Sequence, residues 1–211
     1  MSWQGLEDFV TRCRKRLDPV RGSERLPETG DMDVLGVEEM LAIRPAAVLI
    51  GIVERGDEAM AVLTRRPETM VRHAGQVAFP GGKIDPTDAD AAEAALREAN
   101  EEVGADPETV ELIGRSSPYV TGSQFRVTPV VGLLPAEFHA VPDPDEVAEV
   151  FEVPMAWLMD PANQAIKTAQ WQGRERRYVE MPYGRHRIWG VTAGIIRNLY
   201  IILYGRPDGR V

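Results

Sequence analysis

The chain has 211 residues, 44% hydrophobic and 27% charged, a globular composition that excludes a disordered or collagen-like chain. Its 24 basic and 33 acidic residues give a formal net charge of −9, which disfavours a nucleic-acid partner and suits carboxylates that bind hard cations. Cys13 is the only cysteine, which excludes an intramolecular disulfide and a Cys-based zinc site.

The N-terminal segment predicts a helix over residues 2–17, because its apolar side chains recur on one stripe. Acidic and basic residues stand in this segment where a signal peptide would need an apolar core, so we do not expect it to be one. The most membrane-like stretch, Ile188 to Tyr204, carries Arg197 near its middle and is too short to cross a bilayer comfortably. We therefore expect a soluble, cytoplasmic protein with no membrane partner.

The chain divides by composition into three parts. Residues 19–36 are rich in Pro, Gly and charge and predict a loop. We accordingly expect an N-terminal helix and loop extension over 1–40, one main domain over 41–205 and a short tail over 206–211.

The main domain reads as a mixture of strands and helices. Apolar runs at 46–53 and 59–63 flank a Gly56-Asp57 turn and predict a β-hairpin that is partly buried on both faces. Further predicted elements are strands at 110–114, 127–134 and 147–153, a hairpin pairing 166–171 with 177–181 around Gln172-Gly173, and a closing helix over 192–204 with Thr192 as N-cap. Strands with three interspersed helices indicate an α/β or α+β fold with a mixed sheet.

The most informative segment is the helix predicted over residues 88–103, which Gly104 would end. Glu98, Glu101 and Glu102 are three and four residues apart and share one of its faces. Like charges at this spacing destabilise a helix, and anions near its C-terminus oppose the helix dipole. A bound Mg²⁺ neutralises such a cluster and keeps positions for water and substrate phosphates. The alternative is an ordinary solvated acidic face.

Residues from Gly82 to Ala105 resemble the Nudix hydrolase signature, Gly-x5-Glu-x7-Arg-Glu-apolar-x-Glu-Glu-x-Gly-apolar. The second half of that signature matches in register from Arg97 to Ala105. The first half departs from it, because Asp88 replaces the first glutamate and eight residues instead of seven separate Asp88 from Arg97. The resemblance implies a Nudix-type α/β/α sandwich with a central mixed β-sheet.

An upstream segment resembles the extra motif of the coenzyme A pyrophosphatase branch of this family, roughly L-L-T-x-R-S-x3-R-x3-G-x-V-x-F-P-G-G. The chain matches it at Leu63, Thr64 and Arg66 in the run Leu63-Thr64-Arg65-Arg66 and from Gly75 to Gly82, and the branch shares the longer glycine-to-arginine spacing. Three positions differ, with Val62 for the first Leu, Pro67 for the Ser and Val71 for the second Arg. Arg72, one place later, is a candidate for the missing charge.

The resemblance implies roles for individual residues. The metal ligands are expected to be Glu98, Glu101 and Glu102 with the carbonyl of Gly82, and the cofactor to be Mg²⁺ or Mn²⁺. Arg97 is expected to orient a carboxylate, and Glu146 is a candidate catalytic base whose alternative is a surface acid. The expected substrate-binding residues lie in or before the glycine loop: Arg65, Arg66, Arg72, Gly75, Phe79 and Gly81.

The implied activity is Mg²⁺-dependent hydrolysis of the internal diphosphate of coenzyme A or its thioesters, which gives 3′,5′-ADP and 4′-phosphopantetheine or its acyl form. Two alternatives stay open: hydrolysis of ADP-ribose or another nucleoside diphosphate derivative, and a Nudix-like module that binds a ligand without turnover. A homodimer is plausible from relatives. The three histidines are too scattered for a zinc triad and are interpreted as structural or solvated.

Overall fold

The computed structural model describes residues 3–22, 29–30, 42–70, 73–171 and 174–206. Its helices are α1 (Leu6–Arg16), α2 (Ala91–Val103), α3 (Met155–Leu158) and α4 (Gly190–Tyr204), with a short 3-10 turn at Pro161–Asn163. The first strands are β1 (Thr29–Gly30), β2 (Arg44–Arg55), β3 (Glu58–Arg65), β4 (Val77–Ala78), β5 (Gly81–Lys83) and β6 (Glu111–Arg115). The remaining strands are β7 (Tyr119–Val120), β8 (Phe125–Leu133), β9 (Glu149–Pro154), β10 (Ala165–Trp171), β11 (Arg174–Tyr183) and β12 (His186–Trp189).

A mixed sheet of nine strands forms the centre of the described chain. The long strands β2 and β8 run parallel through its middle, with Leu49 opposite Val130. β2 also pairs antiparallel with β3 and with the short strand β5, and β3 pairs in turn with β9. Strands β10, β11 and β12 form a separate antiparallel sheet of three strands. The pairing of β5 with β2 brings the glycine loop against the centre of the main sheet.

Helices cover both faces of the main sheet, and each face has its own apolar core. On one face the alanines of α2 pack on residues such as Leu49, Val53 and Val130. On the other face α1 and α4 pack over residues such as Ile50 and Leu63. Successive residues of β2 and β3 therefore enter different cores, as the alternation of side chains along a strand requires. This arrangement confirms the predicted α/β/α sandwich with a central mixed sheet.

Most predicted elements are confirmed, with ends that shift by a few residues. The hairpin of β2 and β3 is buried on both faces, and the hairpin of β10 and β11 pairs Lys167 with Tyr178. Its predicted turn residues 172–173 lie outside the described residues, as does most of the predicted loop 19–36.

The predicted cap of the closing helix is wrong. Trp189 pairs with Glu180 as the last residue of β12, so the chain turns directly from strand into helix at Gly190. The hydroxyl of Thr192 instead donates a buried hydrogen bond of 2.8 Å to the carbonyl of Val77. Over residues 3–22, 29–30, 42–70, 73–171 and 174–206, the structure contains no helix with the length and apolar character of a membrane span.

Candidate active site

Helix α2 places the acidic residues because its start, its end and its apolar face are each defined by sequence. Asp90 caps its N-terminus by accepting from the amides of Ala92 and Glu93, at 2.9 and 3.0 Å. Gly104 ends it in the left-handed region, with φ of 70°. The helix therefore begins three residues later than the sequence suggests. Its small alanine face sits close to the sheet and leaves the glutamates beside the glycine strand β5, where they form the acidic edge of the site.

The glycine loop brings backbone against those glutamates. A Cβ atom on Gly81 would lie 2.3 Å from the carbonyl oxygen of Ala47, so a larger residue cannot pair with β2 at this point. A Cβ atom on Gly82 would lie 2.5 Å from the carboxylate of Glu98. Gly81 is thus required by close approach to backbone, whereas Gly82 leaves room for the carboxylate of the predicted metal ligand Glu98.

Two of the three helix glutamates, Glu98 and Glu102, are enclosed at this edge. The side chain of Glu98 is 16% exposed, and that of Glu102 is 5% exposed. Burial raises the pKa of Glu102 to about 8, because the nearby Arg66 and the amide of Gly81 offset the desolvation only in part. Burial likewise raises the pKa of Glu98. The edge therefore holds more buried negative charge than its neighbours balance.

The partners of Glu102 are distant for a buried carboxylate. The amide of Gly81 donates to it at 3.4 Å, and the guanidinium of Arg66 stands 3.9 Å away. Glu98 and Glu146 are close enough to disfavour its charged form further. A carboxylate buried with such weak compensation is the kind of group that a bound cation stabilises.

Arg97 links the acidic helix to Asp88, a residue whose role could not be read from the sequence. Two of its nitrogens donate to the two carboxylate oxygens of Asp88, each at 3.0 Å. A third nitrogen donates to Glu98 and to Glu101, both at 3.0 Å, and the arginine also donates to the carbonyl of Lys83. The Asp88 side chain is only 4% exposed, and hydrogen bonding to Arg97 lowers its pKa. Asp88 thus anchors Arg97, which in turn orients Glu98.

Glu101 is more exposed than the enclosed pair. Its side chain is 59% exposed and shares one nitrogen of Arg97 with Glu98. Within the described ranges, no three histidine, cysteine, aspartate or glutamate side chains already form a group that can hold a metal ion. The fit to a divalent cation therefore depends on Glu98 and Glu102, whose hard oxygens suit Mg²⁺. That ion needs only one or two protein carboxylates and keeps several waters.

A loop after helix α2 carries Glu146 to the same edge. The amide of Asp143 donates to the carbonyl of Glu102 at 3.0 Å, and the amide of Val141 donates to the carbonyl of Val103 at 2.9 Å. The amide of Glu146 then donates to the carbonyl of Asp143, which closes a turn. Glu146 is exposed, and its charge contributes to the raised pKa values of Glu98 and Glu102.

The predicted substrate residues do not all lie together. Arg66 faces Glu102, whereas the preceding residue Arg65 pairs with Glu149 on the opposite side of the strand. Gly75 borders the same cavity as Arg65. Phe79 is 3% exposed and belongs to the core under α4. Arg72 lies outside the described residues.

Comparison with known proteins identifies the family. A family model described as the NUDIX domain matches residues 43–174, which is more than half of the chain. This chain belongs to the Nudix family. It is therefore a hydrolase of phosphoanhydride bonds, as the acidic helix and the glycine loop predict, and members of the family generally need divalent cations.

Bacterial Nudix hydrolases named NudL are close in sequence. The NudL of Citrobacter koseri is 43% identical over 202 residues, which covers 96% of this chain and 96% of the relative. The NudL of Enterobacter sp. (strain 638) is 43% identical over 169 residues, covering 80% of this chain and 88% of the relative. Their name gives the Nudix hydrolase family and no substrate.

Solved Nudix structures are more distant. The chain matches a C. elegans Ap4A hydrolase complex at 18% identity and a TM-score of 0.46, over 52% of this chain and 80% of that one. It matches the M. smegmatis Nudix hydrolase RenU at 22% identity and a TM-score of 0.45, over 66% and 78%.

Proposed function

We propose that this Nudix hydrolase cleaves the internal diphosphate of coenzyme A or its thioesters, with Mg²⁺ or Mn²⁺ held by Glu98, Glu101 and Glu102 and the carbonyl of Gly82. The observation that carries the proposal is the enclosed pair Glu98 and Glu102. Glu98 accepts from Arg97 at 3.0 Å, but among the described residues the more deeply buried Glu102 is balanced only by a guanidinium 3.9 Å away and an amide contact of 3.4 Å. Such an edge requires added positive charge, which a divalent cation supplies.

When bound, the cation neutralises charge on phosphoryl oxygens and lowers the pKa of water at the site. The protein supplies the geometry around it. Asp88 and Arg97 hold Glu98 in place, and the absence of a side chain on Gly82 leaves room for its carboxylate. Arg66 stands beside Glu102 and is positioned to meet a phosphoryl oxygen of the substrate.

Glu146 is the proposed proton acceptor for the attacking water. It is exposed beside Glu98 and Glu102, on a turn that is hydrogen-bonded to the last carbonyls of helix α2. Attack of the water on one phosphorus breaks the phosphoanhydride P–O bond. The products are 3′,5′-ADP and 4′-phosphopantetheine, or its acylated form.

The substrate class rests on the segment from Leu63 to Gly82, which resembles the motif of the coenzyme A pyrophosphatase branch. The proposed setting is the cytoplasm, where coenzyme A is available. A homodimer is compatible with this activity and is not required by it.

A panel assay tests the proposal. The protein is incubated with Mg²⁺ and with coenzyme A, ADP-ribose, NADH or dNTPs, and the products are separated by chromatography. We expect coenzyme A to give 3′,5′-ADP faster than any other substrate reacts. Faster turnover of ADP-ribose would overturn the substrate assignment and favour the alternative hydrolase.

Variants of the helix test the site itself. Glu98→Gln and Glu102→Gln should each lose at least about 100-fold in turnover, because each removes a carboxylate that places the cation. Glu93→Gln is the matched control, since Glu93 is an exposed residue of the same helix that accepts from the amide of Ala89. Unchanged turnover in both test variants would exclude them as ligands.

A further inference from the structure

The cavity that Arg65 and Gly75 border has a volume of about 500 Å³ and lies apart from Glu102, beyond the end of β3. Arg65 is the last residue of β3 and Arg66 follows it directly, and the two side chains lead to different partners. Arg66 approaches Glu102, while Arg65 lines the cavity with residues of the three-stranded sheet. The mechanism proposed above makes no use of this cavity.

Glu149 organises one wall of the cavity. It accepts from Arg65 at 3.2 Å and from Arg185, and the ring of His186 stands 3.6 Å away. His186 in turn stacks on Phe151, with ring centroids 3.7 Å apart. The Glu149 carboxylate thus lies beside two guanidinium groups and the stacked imidazole of His186. His186 lies outside the motif between Leu63 and Gly82.

The wall is rich in arginine. Arg65, Arg185 and Arg187 line the cavity with two carboxylates, Glu68 and Glu149, and Arg187 also pairs with Glu180 beside it. Although burial alone would raise the pKa of Glu149, hydrogen bonds from Arg185 and Arg65 lower it. The carboxylate therefore stays ionised and holds the guanidinium groups of Arg65 and Arg185 at the cavity.

Arg185 has donors left for a ligand. A guanidinium carries five N–H groups, and one Arg185 nitrogen serves Glu149. Its side chain is 78% exposed at the mouth of the cavity. Exposed ion pairs contribute little to stability, so a purely structural role explains this arrangement poorly. Planar guanidinium donors at the wall of a cavity suit a phosphate group.

We propose that this cavity binds a phosphate monoester that the substrate carries in addition to its diphosphate, with Arg65, Arg185 and His186 as donors. The inference rests on the proposed function and extends it, because coenzyme A bears a 3′-phosphate on the ribose next to its diphosphate. Arg66 and Arg65 then serve different phosphates on the two sides of one strand. Substrates without a terminal phosphate, such as ADP-ribose, leave this cavity unused.

The test compares coenzyme A with dephospho-coenzyme A, which differs only in the 3′-phosphate. We expect the wild-type protein to prefer coenzyme A by about tenfold or more in kcat/KM, the size expected for one or more charge-assisted hydrogen bonds. Arg185→Ala should reduce that ratio about tenfold, mainly through KM. Arg177→Ala removes an exposed arginine of β11 that does not line the cavity, and should keep the ratio.

Calorimetry with 3′,5′-ADP and 5′-AMP separates this inference from the proposed function. Tighter binding of 3′,5′-ADP that Arg185→Ala abolishes supports the cavity as the phosphate site, even if coenzyme A is not hydrolysed. A wild-type protein that hydrolyses both coenzymes equally, or an Arg185→Ala ratio equal to the wild-type ratio, overturns the inference and leaves the proposed function standing.

Discussion

Replacing Glu102 with glutamine should stabilise the metal-free protein at alkaline pH while removing its activity. Glu102 is 4% exposed, and within the described part of the chain its carboxylate has only Arg66 at 3.9 Å and the amide of Gly81 at 3.4 Å as compensation. Glutamine has nearly the same shape and no charge. The substitution therefore removes the buried charge with little change in packing.

The magnitude follows from the pKa of Glu102. Burial raises it to about 8, from an ordinary value of 4.5. At about 1.4 kcal/mol for each pH unit of difference, ionising Glu102 at pH 9 costs the folded state up to about 5 kcal/mol. Side-chain movement and water entry reduce this cost, so we expect about 2–3 kcal/mol.

The sign of the pH dependence follows from the same shift. A raised pKa in the folded state gives a stability contribution that is complete below pH 4.5 and is lost as the pH rises through 8. Wild-type protein should therefore lose this contribution between those values, and Glu102→Gln should not. Any constant cost of burying the amide cancels when the same variant is compared at two pH values.

Urea unfolding in EDTA at pH 5 and pH 9, followed by circular dichroism, measures the effect. The free energy of unfolding of Glu102→Gln, relative to wild type, should be about 2–3 kcal/mol higher at pH 9 than at pH 5. Glu93→Gln, an exposed position on the same helix, should follow wild type at both values. An identical pH dependence in Glu102→Gln and wild type would refute the reasoning.

Three other substitutions test single contacts. Gly82→Ala should fold normally but lose at least about tenfold in turnover, because the added Cβ would lie 2.5 Å from the Glu98 carboxylate and displace it. Full activity in this variant would contradict the close approach. Asp88→Asn should lower the free energy of unfolding, measured by urea titration, by about 2 kcal/mol, because it breaks the two hydrogen bonds between Asp88 and the part-exposed Arg97. Asp90→Asn is the control, because asparagine can still cap the helix. Thr192→Val should lower the free energy of unfolding by about 1 kcal/mol, because the carbonyl of Val77 loses the hydroxyl that donates to it at 2.8 Å. Thr192→Ser keeps a hydroxyl and should lower it less. Equal losses in the two variants would contradict the assigned hydrogen bond.

Local periodicity predicts much of this fold. The face shared by Glu98, Glu101 and Glu102 follows from helix geometry, and the buried hairpin of β2 and β3 follows from two apolar runs around a turn. Gly104 ends helix α2 as predicted, because glycine adopts the left-handed conformation without strain.

Contacts between segments that are distant in the chain could not be predicted from the sequence pattern. Asp88 meets Arg97 because the chain folds back before the helix, and spacing alone does not show that return. The predicted cap at Thr192 fails because pairing of Trp189 with Glu180 decides where strand ends and helix begins. Glu149, Arg185 and His186 converge from separate strands, and none of them belongs to the motif that drew attention to Arg65.

The exposure of Glu101 is a further difference from simple helix-face reasoning. A shared face places three carboxylates together, but their exposure differs: Glu101 is 59% exposed although it shares a nitrogen of Arg97 with the enclosed Glu98. The enclosed pair Glu98 and Glu102 therefore forms the centre of the proposed site.

The most direct measurement of the central claim is the anomalous diffraction of Mn²⁺ in crystals of the wild-type protein. The account predicts a peak at about 2.0–2.2 Å from carboxylate oxygens of Glu98 and Glu102. Loss of that peak in Glu102→Gln crystals under the same conditions would support the assignment. A manganese peak elsewhere, with Glu98 and Glu102 uninvolved in an active enzyme, would contradict it.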